Sequence, residues 1–307
     1  MENSNEMNIR DIFQIIFKRK YFIILSTLLA ALFSVSIALY LPNIYTSKGI
    51  LMPSKNEESL SSRLSDLSSL ASFGGFSLPD SSSSKSEEAK ERIKSYEFFN
   101  SFFLPKIKIE NLLAVKRWNQ DNDQLIYDEK HFDSQTKKWI SDKWVGFNDV
   151  SKNIIPSTQL AYEEYIKIIS VSENRKTSFI NISIDHKSPY VAKKWLDIII
   201  NEINESMRAA DEDQAKKSIV FLNKIIESTD IKTTKEIIST LLEKQMQTLM
   251  LTSAEKNYVF EIIDSPIVPE KKSRPSRARI SILGTILGLL LSILIVFIQF
   301  FRLNYKP

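Results

Sequence analysis

The sequence predicts an α+β, membrane-anchored protein in which two transmembrane helices flank one large, elongated domain with an α/β base and a long projecting helix. Three observations point there. Residues 21–40 form an uncharged run of 20, and residues 280–301 an uncharged run of 22. Between them, short apolar segments at strand spacing give way to a helical pattern that no glycine or further proline interrupts from Pro189 to Glu227.

At 1.5 Å per residue, each uncharged run makes a helix of roughly 30 Å, the thickness of a bilayer's hydrocarbon core. Burial in a soluble core is the competing reading, but neither run contains a charge and cations stand beside both. For the first run a cleaved signal peptide also competes. The apolar stretch is long for one, and Tyr40-Leu41-Pro42 lacks a small-residue cleavage site. The expected organisation is a segment 1–20, a first span 21–40, a large domain 41–279, a second span 280–301 and a tail 302–307.

The formal net charge of +4 is unevenly placed. Lys271, Lys272, Arg274, Arg277 and Arg279 stand against Glu270 alone in residues 270–279, a local charge of +4. Residues 1–20 carry +1 and residues 302–307 carry +2, which leaves −3 on residues 41–269. Such a domain has no basic footprint for nucleic acid. The five cations instead abut the second span and are the candidates for contact with lipid phosphates. With no cysteine, the domain needs neither disulfides nor a thiolate metal site.

Two spans place both termini on one side of the bilayer. Lys18, Arg19 and Lys20 favour a cytoplasmic N-terminus, and Arg302 and Lys306 agree. The cluster at 271–279 argues the opposite, although charge bias is a poor guide across an intervening segment of 239 residues. Cytoplasmic termini and an extracytoplasmic domain are therefore expected.

Asn8 to Phe17 carries a helical apolar stripe (Ile9, Ile12, Phe13, Ile16, Phe17) suited to the membrane surface. Tyr45 to Met52 reads as a strand. Leu60, Leu64, Leu67 and Leu70 suggest a small amphipathic helix, stopped by Gly74-Gly75 and followed by a flexible loop at Ser81–Ser84. Glu87 to Phe103 is a further helix ending in Phe98, Phe99, Phe102 and Phe103. Residues 118–144 show no clear period. Ile166–Val171 and Phe179–Ile184 read as a hairpin turning at Glu173-Asn174-Arg175-Lys176. Strands and amphipathic helices need each other's apolar faces, so an α/β domain follows.

The long helix is expected over about 189–227, capped by Ser188 with Pro189 in its first turn. Trp195, Ile199, Ile203 and Met207 share one face, Arg208 to Ser218 is polar, and Phe221, Leu222, Ile225 and Ile226 follow. A returning helix is expected over about 233–251, through Ile237, Ile238, Leu241, Leu242, Met246, Leu249 and Met250. Tyr258 to Ile263 reads as a closing strand. Exposed apolar stripes on such helices favour side-by-side oligomers, which makes Trp195, Ile199, Ile203 and Met207 candidate subunit contacts; burial within one chain is the alternative.

Signatures of chemistry are absent. No Gly-rich phosphate loop, GxSxG, HExxH or calcium-loop pattern occurs, and there are only six glycines. His131 and His186 are far apart in sequence, and His186 precedes Lys187-Ser188-Pro189 at a strand-to-helix junction, where a structural role fits best. No catalytic residue, metal or cofactor is expected. In the spans, Gly284, Gly288 and Ser292 recur every four residues, as do Ser26, Ala30, Ser34 and Ala38. Small faces let helices approach closely, here between the two spans or between subunits. The connector 264–279 contains Pro266, Pro269 and Pro275, which stiffen it either as a plain linker or as a coupler to the helices.

Four stretches resemble a known family. Asp11 to Ala38 is similar to its leading segment and first span, and Arg92-Ile93-Lys94-Ser95-Tyr96-Glu97-Phe98 to its "leucine, lysine, serine, then phenylalanine" helix. Ile184-Asp185-His186-Lys187-Ser188-Pro189, with Ala192, Trp195 and Asn201, resembles the junction into its long helix. Tyr258 to Pro275 with the Gly284/Gly288 span resembles its proline-rich closing segment. The family is the Wzz-type polysaccharide co-polymerases, the chain-length determinants of bacterial O-antigen, part of lipopolysaccharide, and of related surface glycans. The resemblance implies an inner-membrane protein with cytoplasmic termini and a periplasmic bulk domain. It also implies a ring-like homo-oligomer working, without catalysis, beside the membrane polymerase that extends a glycan on undecaprenyl pyrophosphate. Only Arg302–Pro307 follow the second span, so no fused tyrosine kinase is expected. A scaffold for a polysaccharide export machine is the alternative.

Overall fold

A computed structural model describes residues 17–54, 85–140, 156–254 and 256–304. The expected stripe up to Ile16, the leucine-patterned helix at 60–70, Gly74-Gly75, the Ser81–Ser84 loop and Lys306 lie outside these residues, as does the Arg302 side chain. Two compact units emerge: Met1–Ile44 with Lys272–Pro307, and Tyr45–Lys271. Residues 272–279, expected with the large domain, thus group with the spans.

The first unit is a helical hairpin. Helix α1 (Lys20–Tyr40) and the C-terminal helix, Arg277–Asn304, are each long and apolar enough to cross a membrane. Large side chains such as Leu25, Leu29, Phe33, Leu287 and Leu291 stay exposed on its outside, where lipid would solvate them.

The second unit is built on strand β1 (Tyr45–Pro53). Next come helix α2 (Lys85–Ile93), an α-turn at Tyr96–Phe98, a π-helical turn at Phe99–Phe103 and a 3-10 turn at Leu104–Lys106. The single helix expected over Glu87–Phe103 is therefore broken. Ser95 adopts an extended conformation and its hydroxyl accepts from the Phe98 N–H at 3.1 Å, so it starts a new turn instead of continuing the old one. Helix α3 (Ile109–Leu113) leads to two small ribbons, β2 (Val115–Asn119) with β3 (Gln124–Tyr127), and β4 (Phe132–Asp133) with β5 (Lys138–Trp139).

Helix α4 (Thr158–Ile168) was not expected. It takes Ile166 to Ile168 out of the predicted strand, because Ser157 caps it and Ala161 and Tyr165 give it a buried face. Strands β6 (Ile169–Glu173) and β7 (Ile180–His186) then form the hairpin. The chain continues through helix α5 (Pro189–Ser228), helix α6 (Lys232–Ala254), strand β8 (Phe260–Asp264) and helix α7 (Arg277–Asn304).

The main sheet has the order β6-β7-β1-β8, antiparallel throughout, with Gly49 opposite Ile182 and Leu51 opposite Ile180. In β7, Ile180, Ile182, Ile184 and His186 face inward and alternate with more exposed residues, as a sheet covered on one face requires. Against that face pack Trp195, Leu196, Ile199, Ile200 and Ile203 of α5, and an aromatic wedge of Phe98, Phe99, Phe103 and Tyr165. Among Phe99, Phe103 and Tyr165 the ring centroids lie 5.0–6.1 Å apart, the separation at which tilted aromatic pairs attract.

This packing corrects one expectation. Trp195, Ile199, Ile203 and Met207 are at most 2% exposed, inside the core of their own protomer, so they cannot serve as subunit contacts. The sheet supplies the apolar partner that the helical stripe alone does not reveal.

Candidate functional site

Within the hairpin unit, the small faces of the two spans meet. Gly284 lies over Ser34 and Gly288 over Ala30; a Cβ added at Gly284 would fall on the Ser34 side chain, and one at Gly288 on the Ala30 methyl. The Ser34 hydroxyl donates to the Ile280 carbonyl across the interface at 2.9 Å. Ala38 and Ser292 are buried with them, while Ser26 is half-buried and donates back to Phe22 O at 2.8 Å. Of the seven small residues expected to pack, the structure pairs Ala30 with Gly288 and Ser34 with Gly284, within one chain. At the other end, Arg19 Nη1 donates to Gln299 Oε1 at 2.6 Å, closing the hairpin.

The same unit holds the second half of the connector against the residues that follow α1. Ile44 N–H donates to Arg274 O at 2.8 Å, and Ile44 O accepts from Ser273 N–H at 2.8 Å. Just before it, the Asn43 side-chain carbonyl accepts from both Lys272 Nζ and Arg277 Nη2, each at 3.2 Å. Pro275 is half-buried there and Arg279 is exposed.

In the domain unit, Pro266 is buried and its Cγ stands 3.6 Å from where a Gly49 Cβ would be. Ser47 Oγ donates to Ile267 O at 2.9 Å. Pro269 is half-buried and Lys271 is exposed. Thus Pro266 packs as part of the sheet unit while Pro275 belongs to the hairpin unit.

Three polar junctions organise the domain. His186 is buried where β7 passes into α5. Its Nδ1 accepts from the Ser188 N–H at 2.9 Å, so Nε2 carries the proton and donates to Asn111 O at 3.0 Å. Burial pushes this imidazole down to about 4. Its ring meets Trp195 edge to face at 4.8 Å. Next to it, Lys187 donates to Val115 O, and burial lowers its ammonium below the usual lysine range.

Sequence reasoning missed the other two junctions. Asn204, buried in the middle of α5, accepts from the Val259 and Phe260 N–H groups at 2.8 and 2.9 Å and donates to Phe260 O at 3.2 Å. One side chain thereby stands in for a missing neighbouring strand. Lys85, Asp211 and Tyr258 form a closed trio: Lys85 pairs with Asp211, and Tyr258 donates to Asp211 at 2.6 Å. A polar residue in an apolar helical pattern was the available signal for Asn204; nothing in local spacing marked the trio. No cluster of metal-ligating side chains occurs among the described residues.

Residues 5–103 match the family model Wzz, chain length determinant protein. Over that stretch, about the first third of the chain, it is similar to the chain length determinant proteins. Residues 224–301 match a second model, GNVR, a G-rich domain named from tyrosine-kinase chains. That match runs from α5 to the second span and contains Gly284 and Gly288. The two matches together cover more than half of the chain. No curated protein matches in sequence. Among solved structures, a full-length bacterial polysaccharide co-polymerase is 11% identical, with a TM-score of 0.39, over 98% of this chain and 100% of that one. A fragment of WzzB, a polysaccharide co-polymerase from Salmonella Typhimurium, is 14% identical, with a TM-score of 0.33, over 76% of this chain and 100% of that one.

Proposed function

We propose that this chain is a member of the Wzz family and sets the length of a bacterial surface polysaccharide, O-antigen or a related glycan, without catalysing its synthesis. It acts in the inner membrane with both termini cytoplasmic and residues 41–279 periplasmic. There it works as a homo-oligomer beside the polymerase that extends a glycan on undecaprenyl pyrophosphate. The observation that carries this reading is the chain length determinant match running from before α1 to Phe103.

Two features of the molecule support the parts that the family match leaves open. Small residues pair the two spans, an arrangement suited to a hairpin seated in lipid. Self-association is supported by the far half of α5 and by α6, where Val220 is 72%, Phe221 63% and Met250 68% exposed. Large apolar side chains in that number call for a covering surface, and they replace the four core residues as the subunit-contact candidates.

The test is gene deletion and complementation with cell-surface glycans separated by size. Loss of the preferred length with synthesis retained supports the reading. Abolished surface display with an unchanged length distribution would instead identify an export scaffold.

A further inference from the structure

The head of the second span concentrates positive charge. Lys272, Arg274, Arg277 and Arg279 stand within eight residues, the last two in the first turn of α7, which contains no acidic residue. A helix N-terminus already carries about half a positive charge from its aligned peptides, so cations there repel it. Among the described residues no carboxylate pairs with Lys272, Arg277 or Arg279. What Lys272 and Arg277 share is one neutral oxygen, Asn43 Oδ1, at 3.2 Å from each.

Arg277 adds a second, independent sign. Its Nε is enclosed and has no hydrogen-bond partner. The Nε–H and Nη2–H edge of a guanidinium is the pair of parallel donors that takes two oxygens of one phosphate. Here Nη2 holds the Asn43 amide and Nε holds nothing, so half of that fork is unused. A buried donor left without a partner is costly, and a tetrahedral oxyanion is the group whose oxygens fit this edge and the Lys272 ammonium together.

We infer that Asn43, Lys272 and Arg277 form a phosphate-binding site at the head of the second span, with the Asn43 amide holding the place of the anion. Arriving phosphate displaces the amide, fills both Arg277 donors and pairs with Lys272, while Arg279 and the α7 N-terminus add field. The phosphate comes from an anionic phospholipid headgroup or from a polyprenyl pyrophosphate; the second source rests on the function proposed above.

The full chain in phosphatidylcholine nanodiscs separates these sources. One arm adds geranylgeranyl pyrophosphate and follows binding by phosphorus NMR; the other adds phosphatidylglycerol and measures its enrichment by native mass spectrometry. Lys272→Gln/Arg277→Gln should weaken whichever probe binds by about ten-fold or more. Arg277→Lys should fall between, since it keeps the charge and loses the fork, and Asn43→Ala should bind at least as tightly as wild type. Loss of pyrophosphate binding identifies the lipid-linked source, and loss of phosphatidylglycerol enrichment alone identifies the headgroup; both support the site. Binding of neither probe by wild type, or equal binding by wild type and the double variant, overturns it. Circular dichroism of each variant guards against misfolding. The glycan ladder is read separately: if deletion leaves length unchanged while the double variant loses its probe, the functional reading falls and the site stands.

Discussion

The helical hairpin and the α/β domain bury comparable elements by opposite means. Where α1 meets α7 the contacts are Ala30 on Gly288 and Ser34 on Gly284, among the smallest side chains available. Where α5 meets the sheet they are Trp195, Leu196, Ile199 and Ile203, wedged by Phe98, Phe99, Phe103 and Tyr165. The difference follows from the solvent. Water drives large apolar surface inward at about 25 cal/mol per Å². Lipid tails offer no such drive, so helices gain only by close approach and hydrogen bonds such as Ser34 to Ile280 O. The hairpin keeps its leucines outside, and the domain keeps its aromatics inside.

The comparison is most exposed to test at Trp195. Trp195→Ala should destabilise the domain by about 3–5 kcal/mol in chemical denaturation, because a rigid aromatic core collapses poorly around a cavity. A cost under about 1 kcal/mol would mean that the wedge is not the domain's core.

Acid should produce the next effect. The His186 imidazole lies at about 4 in the folded protein and near 6.5 when unfolded. The unfolded chain therefore binds more protons between those values, so stability is full above about pH 6.5 and declines as pH falls toward 4. The loss is at most about 3.4 kcal/mol at 1.36 kcal/mol per unit. His186→Gln should flatten this slope in denaturation measured across the same range, and an unchanged slope would remove His186 as its source.

Asn204→Ala strands the Val259 and Phe260 N–H groups, at a cost of about 1–3 kcal/mol. Hydrogen exchange should show those two amides losing protection before the rest of the sheet does.

The smallest change falls in the hairpin. Gly288→Leu should separate the spans at a cost of about 1–2 kcal/mol, the scale of interhelical contacts in lipid. Because the chain has no cysteine, a pair of cysteines introduced one on each span beside this contact reports it directly. Oxidation should join the spans within one chain with no doubling of mass on a gel, and a dimer band instead would move the contact to a subunit interface.

Much of this was legible before the fold. Charge-free runs announced both spans, four-residue spacing announced the small faces, and Ser188-Pro189 announced the start of α5, since caps and proline act locally. The break at Ser95, helix α4 and the ribbons between Val115 and Trp139 were not legible. Their residues carry weak periods, and the partners that select them lie far away in sequence.

The sequence by itself determined where the two span-length apolar runs lie, where the charge gathers and how far α5 and α6 run, because hydropathy, charge and backbone propensity reside in neighbouring residues. Tertiary structure decided which faces are covered. It placed the Trp195 stripe in the core and left Val220, Phe221 and Met250 outside. It also paired Ala30 with Gly288 across the whole chain and brought Asn43 between Lys272 and Arg277. Burial and convergence are properties of contacts between distant residues, and no local pattern contains them.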